Sequence, residues 1–415
     1  MFGAKSFGVV VVAALGAVAL SSAEEPAVPN AVQIAQLEAD WVKTLHQVED
    51  AISDFAKKHN LPVNDPLFPW LPSGDQTPAP SSTPPAPTSS TPLPTADQGQ
   101  NPGQGQNPGQ GNPGKPKCTI KVTDEHKVDV SCPKTDRVRF IGLGDWGEKF
   151  IAPYVLAVRD GILKEAATGN YDFILAAGDN FYDNGVTNTT DTLWRTTWLD
   201  RWQIGSNLTL PWLSFMGNHD WNGNALSQVE FSKSQLPGAQ YWIMPSKYYS
   251  IDTTVSTGKK FKIAIVDTQT INTTAEFDWV AKEYTDPTAE FVLAAGHHHI
   301  YSAAGRGDNK NAPIVKLNQL VQSSDKVKAY LCGHEHDMQF MRAANKDYFM
   351  FGGGGRTMNE GEVGPGTAAD VIYFKKKYGY AIFDLQVGTR TMTVTYHVFD
   401  NQGKEIDTPK FVRKY

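Results

Sequence analysis

The stretch Gly144-Asp145-Trp146-Gly147 follows the apolar run 138–143, and four later apolar runs of the chain end in a similar motif. Those motifs are Gly178-Asp179-Asn180-Phe181-Tyr182, Gly217-Asn218-His219-Asp220, Gly296-His297-His298-His299 and Gly333-His334-Glu335-His336. Short apolar runs that alternate with helix-like segments predict the strands of an α/β fold. Glycine allows the chain to turn sharply after each strand, and loops at the carboxyl ends of strands gather on one edge, where ligands bind.

The polar residues that follow these strands are of the types that bind metal ions. Oxygen and imidazole donors suit divalent and trivalent first-row metals, and their number is enough for two neighbouring ions that share a carboxylate. Each motif alone has a simpler interpretation, since Gly-Asp-x-Gly is commonly a turn and consecutive histidines can form a surface cluster. All five in order, each after a strand, favour a two-metal site. The candidate ligands are Asp145, Asp179, Tyr182, Asn218, His297, His334 and His336, with His297 the one ligand expected among the three consecutive histidines.

Together the five motifs resemble those of the calcineurin-like metallophosphoesterases. Tyr182, three residues after Asp179, makes the sequence most similar to the purple acid phosphatases, and to their small tartrate-resistant branch in particular. The resemblance covers roughly residues 135–400 and includes a late strand pair at 379–384 and 392–396. It implies an α/β (α+β) fold, a four-layer αββα sandwich in which helices flank two mixed β-sheets.

The resemblance also implies a dinuclear metal centre and an acid phosphatase activity. Asp145, Tyr182 and His336 would hold Fe(III), Asn218, His297 and His334 would hold Fe(II), Zn(II) or Mn(II), and Asp179 would bridge the two ions. Hard anionic donors suit the trivalent ion, and phenolate-to-iron charge transfer gives that family its colour. The implied reaction is hydrolysis of phosphate monoesters, on small molecules or proteins, by in-line attack of a metal-bound hydroxide.

Two further residues are candidates for catalysis. The resemblance makes His219 a group that orients the substrate and donates a proton to the leaving oxygen; the alternative is that it only orders Asp220 or a ligand. Nine residues after His297 the tartrate-resistant branch has a second active-site histidine, whereas this chain has Arg306. A guanidinium can hold phosphate through its planar fork but cannot donate a proton near neutral pH, so protonation would depend more on His219. The alternative for Arg306 is a surface arginine in a glycine-flanked loop.

Two alternative functions fit the same motifs. One is a phosphatase-like attachment or scaffold protein with little catalysis, and the other is a metallophosphoesterase that acts on nucleotides or phosphodiesters. The presence of every expected ligand favours an enzyme over a scaffold, but the substrate depends on loops whose shape the sequence does not give. A net charge of −6 and a pI near 5.9 provide no basic patch, so we expect no nucleic-acid partner.

The three cysteines exclude a disulfide-dense scaffold and an all-cysteine zinc site. The segment 118–132 is symmetric about Glu125, and a hairpin with residues 124–126 as its loop brings Cys118 opposite Cys132. We therefore predict a Cys118–Cys132 disulfide in an oxidising compartment, with reduced cysteines throughout as the alternative. Cys332 lies in an apolar strand and is expected to be a buried free thiol.

The first 116 residues differ in composition from the remainder. An apolar run over 7–20, followed by Ser21-Ser22-Ala23, predicts a signal peptide over 1–23, with an uncleaved signal anchor as the alternative. Residues 24–71 contain an amphipathic helix over 31–59, which can dock on the catalytic domain, self-associate or bind a partner. Residues 72–116 form a linker, rich first in Pro/Ser/Thr and then in Gln/Gly/Asn/Pro, that we expect to be disordered. The catalytic domain is then 117–415.

The signal peptide predicts that the protein is secreted, or reaches the lumen of the secretory or lysosomal/vacuolar route. We expect no membrane span in the mature chain. Three Asn-x-Thr sequons, at Asn188, Asn207 and Asn272, are candidate glycosylation sites and fit this route. Residues 24–116 hold 10 acidic and 4 basic side chains, so the acidity of the chain describes this segment and not the catalytic domain.

Overall fold

Two β-sheets packed against each other form the centre of the fold. The computed structural model describes residues 118–358 and 366–415, all of which belong to one compact unit. The predicted signal peptide, amphipathic helix and linker lie outside the described residues. These three segments and the boundary at residue 117 therefore stay predictions.

The described residues contain 17 strands and four α-helices. In chain order they are β1 (Thr119–Asp124), β2 (Lys127–Cys132), β3 (Arg137–Leu143), α1 (Pro153–Ala167), β4 (Phe173–Ala177), β5 (Trp212–Phe215), α2 (Leu226–Ser232), β6 (Trp242–Ile243), β7 (Tyr249–Val255), β8 (Lys260–Val266), α3 (Thr274–Tyr284), β9 (Phe291–Gly296), α4 (Ala312–Ser323), β10 (Val327–Cys332), β11 (Met338–Ala343), β12 (Lys346–Phe351), β13 (Asp370–Lys375), β14 (Tyr378–Gln386), β15 (Thr391–Phe399), β16 (Glu405–Asp407) and β17 (Lys410–Lys414). A π-helix at Trp194–Leu199 and short 3₁₀ turns lie in the connections.

Both sheets are mixed. The smaller has the spatial order β16-β15-β14-β3-β4-β5-β6, with β17 also paired to β15; β3 to β6 run parallel and β14 is antiparallel to β3. The larger has the order β1-β2-β7-β8-β9-β10-β12-β11-β13, and β8, β9, β10 and β12 run parallel. All residues of β4, β9 and β12 are buried, because parallel strands inside a layered fold are covered on both faces.

Three apolar clusters define the layers. The central cluster joins the facing sides of the two sheets, where Phe140 of β3 stacks between Phe173 and Phe383. A second cluster covers the outer side of the smaller sheet with α1 and the π-helix, and a third covers the outer side of the larger sheet with α3 and α4. The predicted four-layer αββα sandwich of two mixed sheets is therefore confirmed.

The cysteine hairpin has the predicted register with a shorter turn. Val122 pairs with Val128 and Ile120 with Val130, and a disulfide joins Cys118 to Cys132. Asp124 pairs with Lys127 after a bulge, so the turn consists of residues 125–126 and not of 124–126 as the symmetry suggested. Cys332 is a buried free thiol. Within the described residues no helix is long and apolar enough to cross a membrane.

The sequence motifs are divided between the two sheets. Those that contain Asp145, Asp179 and Asn218 follow β3, β4 and β5 of the smaller sheet. Those that contain His297 and His334 follow β9 and β10 of the larger sheet. The expectation of one shared sheet edge is therefore too simple, since the site lies where the strand ends of two sheets meet.

Candidate metal centre

Unusual backbone conformations turn the predicted ligands towards one another. Asp145, Asp179 and His334 have φ values of 57°, 50° and 74°, in the left-handed region that side chains rarely adopt and that is concentrated at functional sites. Gly178 has a φ of 84°, and a Cβ atom there would lie 2.6 Å from Nδ1 of His297. Glycine at this position is therefore required both by the turn and by the close approach of the imidazole ring.

The first group of donors surrounds the phenol oxygen of Tyr182. That oxygen lies 3.0 Å from Oδ1 of Asp145, 2.9 Å from Oδ2 of Asp179 and 3.3 Å from Nε2 of His336. One phenol proton can satisfy only one of these three acceptors. A buried group with more acceptors than protons fits a bound cation. Its members are the three predicted ferric ligands, Asp145, Tyr182 and His336, together with Asp179, the predicted bridging residue.

The second group of donors surrounds Nε2 of His297. Oδ1 of Asn218 and Nδ1 of His334 each lie 3.2 Å from this nitrogen, and Oδ2 of Asp179 lies 3.4 Å away. The same Asp179 oxygen therefore contacts both groups, as a bridging carboxylate would. Ligand atoms of Asp145, Asp179 and His297 all lie within 4.8 Å of one another.

Backbone carbonyls orient two of the imidazole rings. Nδ1 of His297 donates to the carbonyl of Ala177 at 2.8 Å, and Nδ1 of His336 donates to the carbonyl of Thr357 at 2.6 Å. Each bond leaves Nε2 as the nitrogen that faces the cluster. Burial tends to lower the pKa of His297, but Asp179 and Asp145 raise it to about 10, so its Nε2 would give up a proton when a metal ion binds. Hydrogen bonds of this kind are the usual way in which proteins orient metal-binding histidines.

Burial dominates the electrostatics of the cluster. It raises the pKa of Asp145 well above its ordinary value, and burial together with the two carboxylates raises the pKa of Tyr182. Burial also tends to raise the pKa of Asp179, but His297 and His219 hold it below its ordinary value. Burial lowers the pKa of His336 to about 4, which keeps the ring neutral and able to donate a lone pair.

His219 lies at the wall of an open cleft of about 260 Å³ beside the cluster. Its backbone N–H donates to Asp179 at 2.8 Å, and its Nδ1 donates to the carbonyl of Asp183 at 2.7 Å. Asp220 is held differently, by the backbone N–H of Gly217 at 2.7 Å and the side chain of Gln228 at 2.8 Å. The ring of His219 therefore bonds to Asp183 at the cleft and not to Asp220, whereas its backbone N–H contacts the predicted ligand Asp179, as the alternative of ordering a ligand requires.

Arg306 also lines this cleft. Its Nη1 donates to Nε2 of His334 at 2.8 Å, and its Nε lies 3.5 Å from Oε1 of the buried Glu335. The side chain is 48% exposed, so it remains accessible from the cleft. The structure thus places Arg306 at the edge of the cleft, on an exposed loop beside the donor groups.

Arg356 is a cleft residue that the sequence motifs did not identify. Its guanidinium lies 4.6 Å above the ring centre of Tyr182 and pairs with Glu148 and Asp183. The signal that points to it is the preceding run Gly352-Gly-Gly-Gly355, which allows the backbone to approach the site. A Cβ atom on Gly352 would lie 2.7 Å from Oδ2 of Asp145.

The two histidines that follow His297, which we do not expect to bind metal, lie outside the cluster. Nδ1 of His298 lies 2.9 Å from the hydroxyl of Thr268, and Nε2 of His299 donates to the carbonyl of Gly307 at 3.1 Å. Neither histidine joins the donor groups of the cluster. The asparagines of the three Asn-x-Thr sequons are exposed: Asn188, Asn207 and Asn272.

Comparisons with known proteins agree with this geometry. Residues 138–338 match the calcineurin-like phosphoesterase family. The tartrate-resistant acid phosphatase type 5 of Sus scrofa is 30% identical over 249 residues, which cover 54% of this chain and 72% of that protein. A purple acid phosphatase from yellow lupin (Lupinus luteus) seeds has the same fold, with a TM-score of 0.52 at 16% identity over 69% of this chain and 57% of that one. GAP50, the anchor in the inner membrane complex of Plasmodium, shares the fold with a TM-score of 0.57 at 21% identity over 67% of this chain and 90% of that one.

The matched range 138–338 contains all five motifs and both donor groups. The pig relative is matched over more than two thirds of its length at an identity of 30%. The chain therefore belongs to the purple acid phosphatases, within the calcineurin-like phosphoesterase family.

Proposed function

We propose that this chain is a secreted acid phosphatase that hydrolyses phosphate monoesters at a centre of Fe(III) with Fe(II), Zn(II) or Mn(II). Family membership supports phosphatase activity. The observation that carries the finer proposal is the phenol oxygen of Tyr182, 3.0 Å from the carboxylate of Asp145 and 2.9 Å from that of Asp179. Hard anionic oxygen donors of this kind suit a ferric ion.

The donor groups divide as two neighbouring metal sites require. Asp145, Tyr182 and His336 would hold the ferric ion, Asn218, His297 and His334 would hold the divalent ion, and Asp179 would bridge them. When bound, such a pair of ions supplies a nucleophilic water and offsets negative charge on the phosphate. The remaining task of the protein is to hold the phosphate and to protonate the leaving oxygen.

Arg306 is suited to holding the phosphate. It reaches the cleft beside His334, and its planar guanidinium can donate two parallel hydrogen bonds to phosphate oxygens. Glu335 lies 3.5 Å from its Nε and anchors that edge of the guanidinium. When Nδ1 of His334 holds a metal ion, its ring proton would be on Nε2, which can then no longer accept from Nη1. The two Nη groups can therefore turn towards a substrate while Nε stays close to Glu335.

His219 is suited to protonating the leaving oxygen. The carbonyl of Asp183 accepts from Nδ1 at 2.7 Å, which fixes the ring at the cleft wall. In the imidazolium form the second proton is on Nε2, and donation from that atom leaves the bond to Asp183 intact. Arg306 cannot share this task, because its guanidinium does not lose a proton at the working pH.

Secretion is part of the same proposal. The predicted signal peptide over 1–23 motivates it, and the Cys118–Cys132 disulfide fits an oxidising compartment. The test is expression in a secreting eukaryotic cell, with N-terminal sequencing and glycan mapping of the protein in the medium. Retention of the intact N-terminus in the membrane fraction would support the signal-anchor alternative and contradict secretion.

The enzymatic proposal has one decisive experiment. The secreted protein is purified, its iron, zinc and manganese contents and its visible spectrum are recorded, and its hydrolysis of an aryl phosphate, an aryl phosphodiester and a nucleotide is measured between pH 4 and 8. We expect two metal ions per chain, a visible band and a preference for the monoester below neutral pH. A colourless protein without metal or hydrolysis would refute the proposal.

An attachment function is the second candidate, and the shared fold of GAP50 is the observation that favours it. That protein is described as an anchor of a membrane complex, but its 21% identity to this chain supports the fold alone. The two complete donor groups described above favour catalysis. A metal-loaded protein that hydrolyses none of the three substrates would favour attachment.

A further inference from the structure

The chain 352–358 contacts each of the three residues proposed to hold the ferric ion. The backbone N–H of Arg356 donates to the carbonyl of Asp145 at 2.9 Å, and the carbonyl of Thr357 accepts from Nδ1 of His336 at 2.6 Å. The guanidinium of Arg356 covers the ring of Tyr182. The glycine run permits this approach, since the N–H of Gly354 donates to the carbonyl of Gly144 at 3.0 Å.

Both terminal nitrogens of the Arg356 guanidinium have a carboxylate partner. Nη1 donates to Oε2 of Glu148 at 2.9 Å, and Nη2 lies 2.7 Å from Oδ1 of Asp183. Glu148 is buried and Asp183 is the residue after Tyr182, so one partner fixes the arginine to the core and the other fixes it to the tyrosine segment. A side chain held in this way is less free than Arg306 to follow a substrate.

We propose that Arg356 is a positioning residue for Tyr182, which it holds in place and whose phenolate it stabilises through the face of the ring. The inference rests on the proposed ferric site. A cation within about 6 Å of an aromatic ring centre is attracted to the ring face, and the attraction grows when the ring carries negative charge. The distance of 4.6 Å from the guanidinium carbon to the ring centre meets this condition.

The proposal makes a spectroscopic prediction. Absorption in the visible band moves an electron from the phenolate to iron, and a positive charge close to the ring opposes that transfer. Removing the charge should therefore shift the band to longer wavelength, by on the order of 10 nm if the effective dielectric constant is near 20. Arg356→Lys retains the positive charge but cannot contact Glu148 and Asp183 at the same time through two terminal nitrogens. Its band should therefore lie between those of the wild type and Arg356→Gln.

The experiment compares iron-loaded wild type, Arg356→Gln and Arg356→Lys by visible spectroscopy and iron analysis. Arg306→Gln is the matched control, because it removes a cleft arginine that contacts His334 and not Tyr182. Its band should not move to longer wavelength, because the charge that it removes lies beside a proposed metal ligand and not over the phenolate ring. The double variant Glu148→Gln/Arg356→Gln tests the charge without leaving the buried carboxylate unpaired.

Each result decides the inference. A shift to longer wavelength in Arg356→Gln and in the double variant supports it. Loss of iron from both, with a wild-type circular dichroism spectrum and iron retained by Arg306→Gln, also supports it, because Tyr182 is then no longer held. An unchanged band in both iron-loaded variants overturns it, as does misfolding of both variants, which would make Arg356 a general stability residue. A colourless wild type would instead refute the proposed ferric site.

Discussion

Oδ2 of Asp179 lies 2.9 Å from the phenol oxygen of Tyr182, a residue only three positions further along the chain. The same carboxylate oxygen lies 3.4 Å from Nε2 of His297, which follows a strand of the other sheet. Asp179 therefore joins the donor group built on the smaller sheet to the group completed by the larger one. The proposed centre depends on this carboxylate, and several consequences of its surroundings can be measured.

Tyr182→Phe should abolish the visible band of the metal-loaded protein. The substitution keeps the buried ring and its contact with Arg356 but removes the oxygen that faces Asp145 and Asp179. The measurement is a visible spectrum normalised to protein, with metal analysis and circular dichroism on the same sample. A band that persists at the wild-type wavelength would show that Tyr182 is not the ferric ligand.

His219→Ala should retain metal but lose about 10²- to 10⁴-fold in kcat, the usual contribution of a general acid. The loss should be larger for an alkyl phosphate than for an aryl phosphate, because a poor leaving oxygen depends more on protonation. His397→Ala, on β15 and outside the cleft, is the matched control and should behave as the wild type. Loss of metal from His219→Ala would instead make His219 a ligand.

Arg306→Gln should raise both KM and the inhibition constant of inorganic phosphate by about 10-fold or more, the effect of one charge-assisted hydrogen bond. The metal content should not change. Arg306→Lys retains the positive charge but lacks the two parallel N–H donors of the guanidinium, so it should recover only part of the affinity for phosphate. If Arg306→Gln lowers kcat at an unchanged KM, Arg306 acts on the transition state and not on phosphate binding.

Residues that lie in local motifs could be located from the sequence, whereas a residue that reaches the site through tertiary contacts could not. Asp145, Asp179 and His334 follow strands at fixed offsets, so the strand pattern and the glycines locate them. Arg356 lies 174 residues after Tyr182, and no local pattern reports that their side chains meet. Its position depends on how the chain after β12 packs across the ends of the two sheets.

The cysteine hairpin also shows what a local sequence pattern can and cannot predict. The symmetry around Glu125 predicts which side chains face each other, and the observed pairs agree. It does not predict the bulge before Asp124, because a fully symmetric pairing needs a three-residue loop, whereas the observed turn has two residues and the extra residue lies in β1. β2 pairs in parallel with β7, a contact that is not visible in the hairpin sequence itself.

Acid should destabilise the protein partly through Asp286. Burial tends to raise its pKa, but the Lys262 ammonium 2.8 Å away lowers it to about 2. A carboxyl whose pKa is lower in the folded state stabilises the fold above pH 4, and that contribution is lost as the pH falls towards 2. Asp286→Asn should lower the free energy of unfolding by about 1–2 kcal/mol at pH 6 and by much less at pH 2.5.

Urea unfolding of the wild type and Asp286→Asn at the two pH values provides the measurement. Asp200→Asn is the control, since Asp200 pairs with the exposed Arg195 and surface pairs of this kind contribute little. Equal destabilisation of Asp286→Asn at both pH values would show that its effect is one of packing and not of charge.

Removing the metal ions should lower the melting temperature and leave the secondary structure largely unchanged. Asp145, Asp179 and Tyr182 are almost fully buried and face one another, so without the metal ions their oxygens depend on bound protons and on His297 for compensation. A bound ligand at 1,000 times its dissociation constant stabilises the folded state by about 4 kcal/mol, and two ions should exceed this. The measurement is calorimetry of the protein before and after treatment with a reductant and a chelator, followed by reloading. Equal melting temperatures in the two states would mean that the donor groups are stable as a hydrogen-bonded cluster, and would contradict their assignment as a metal centre.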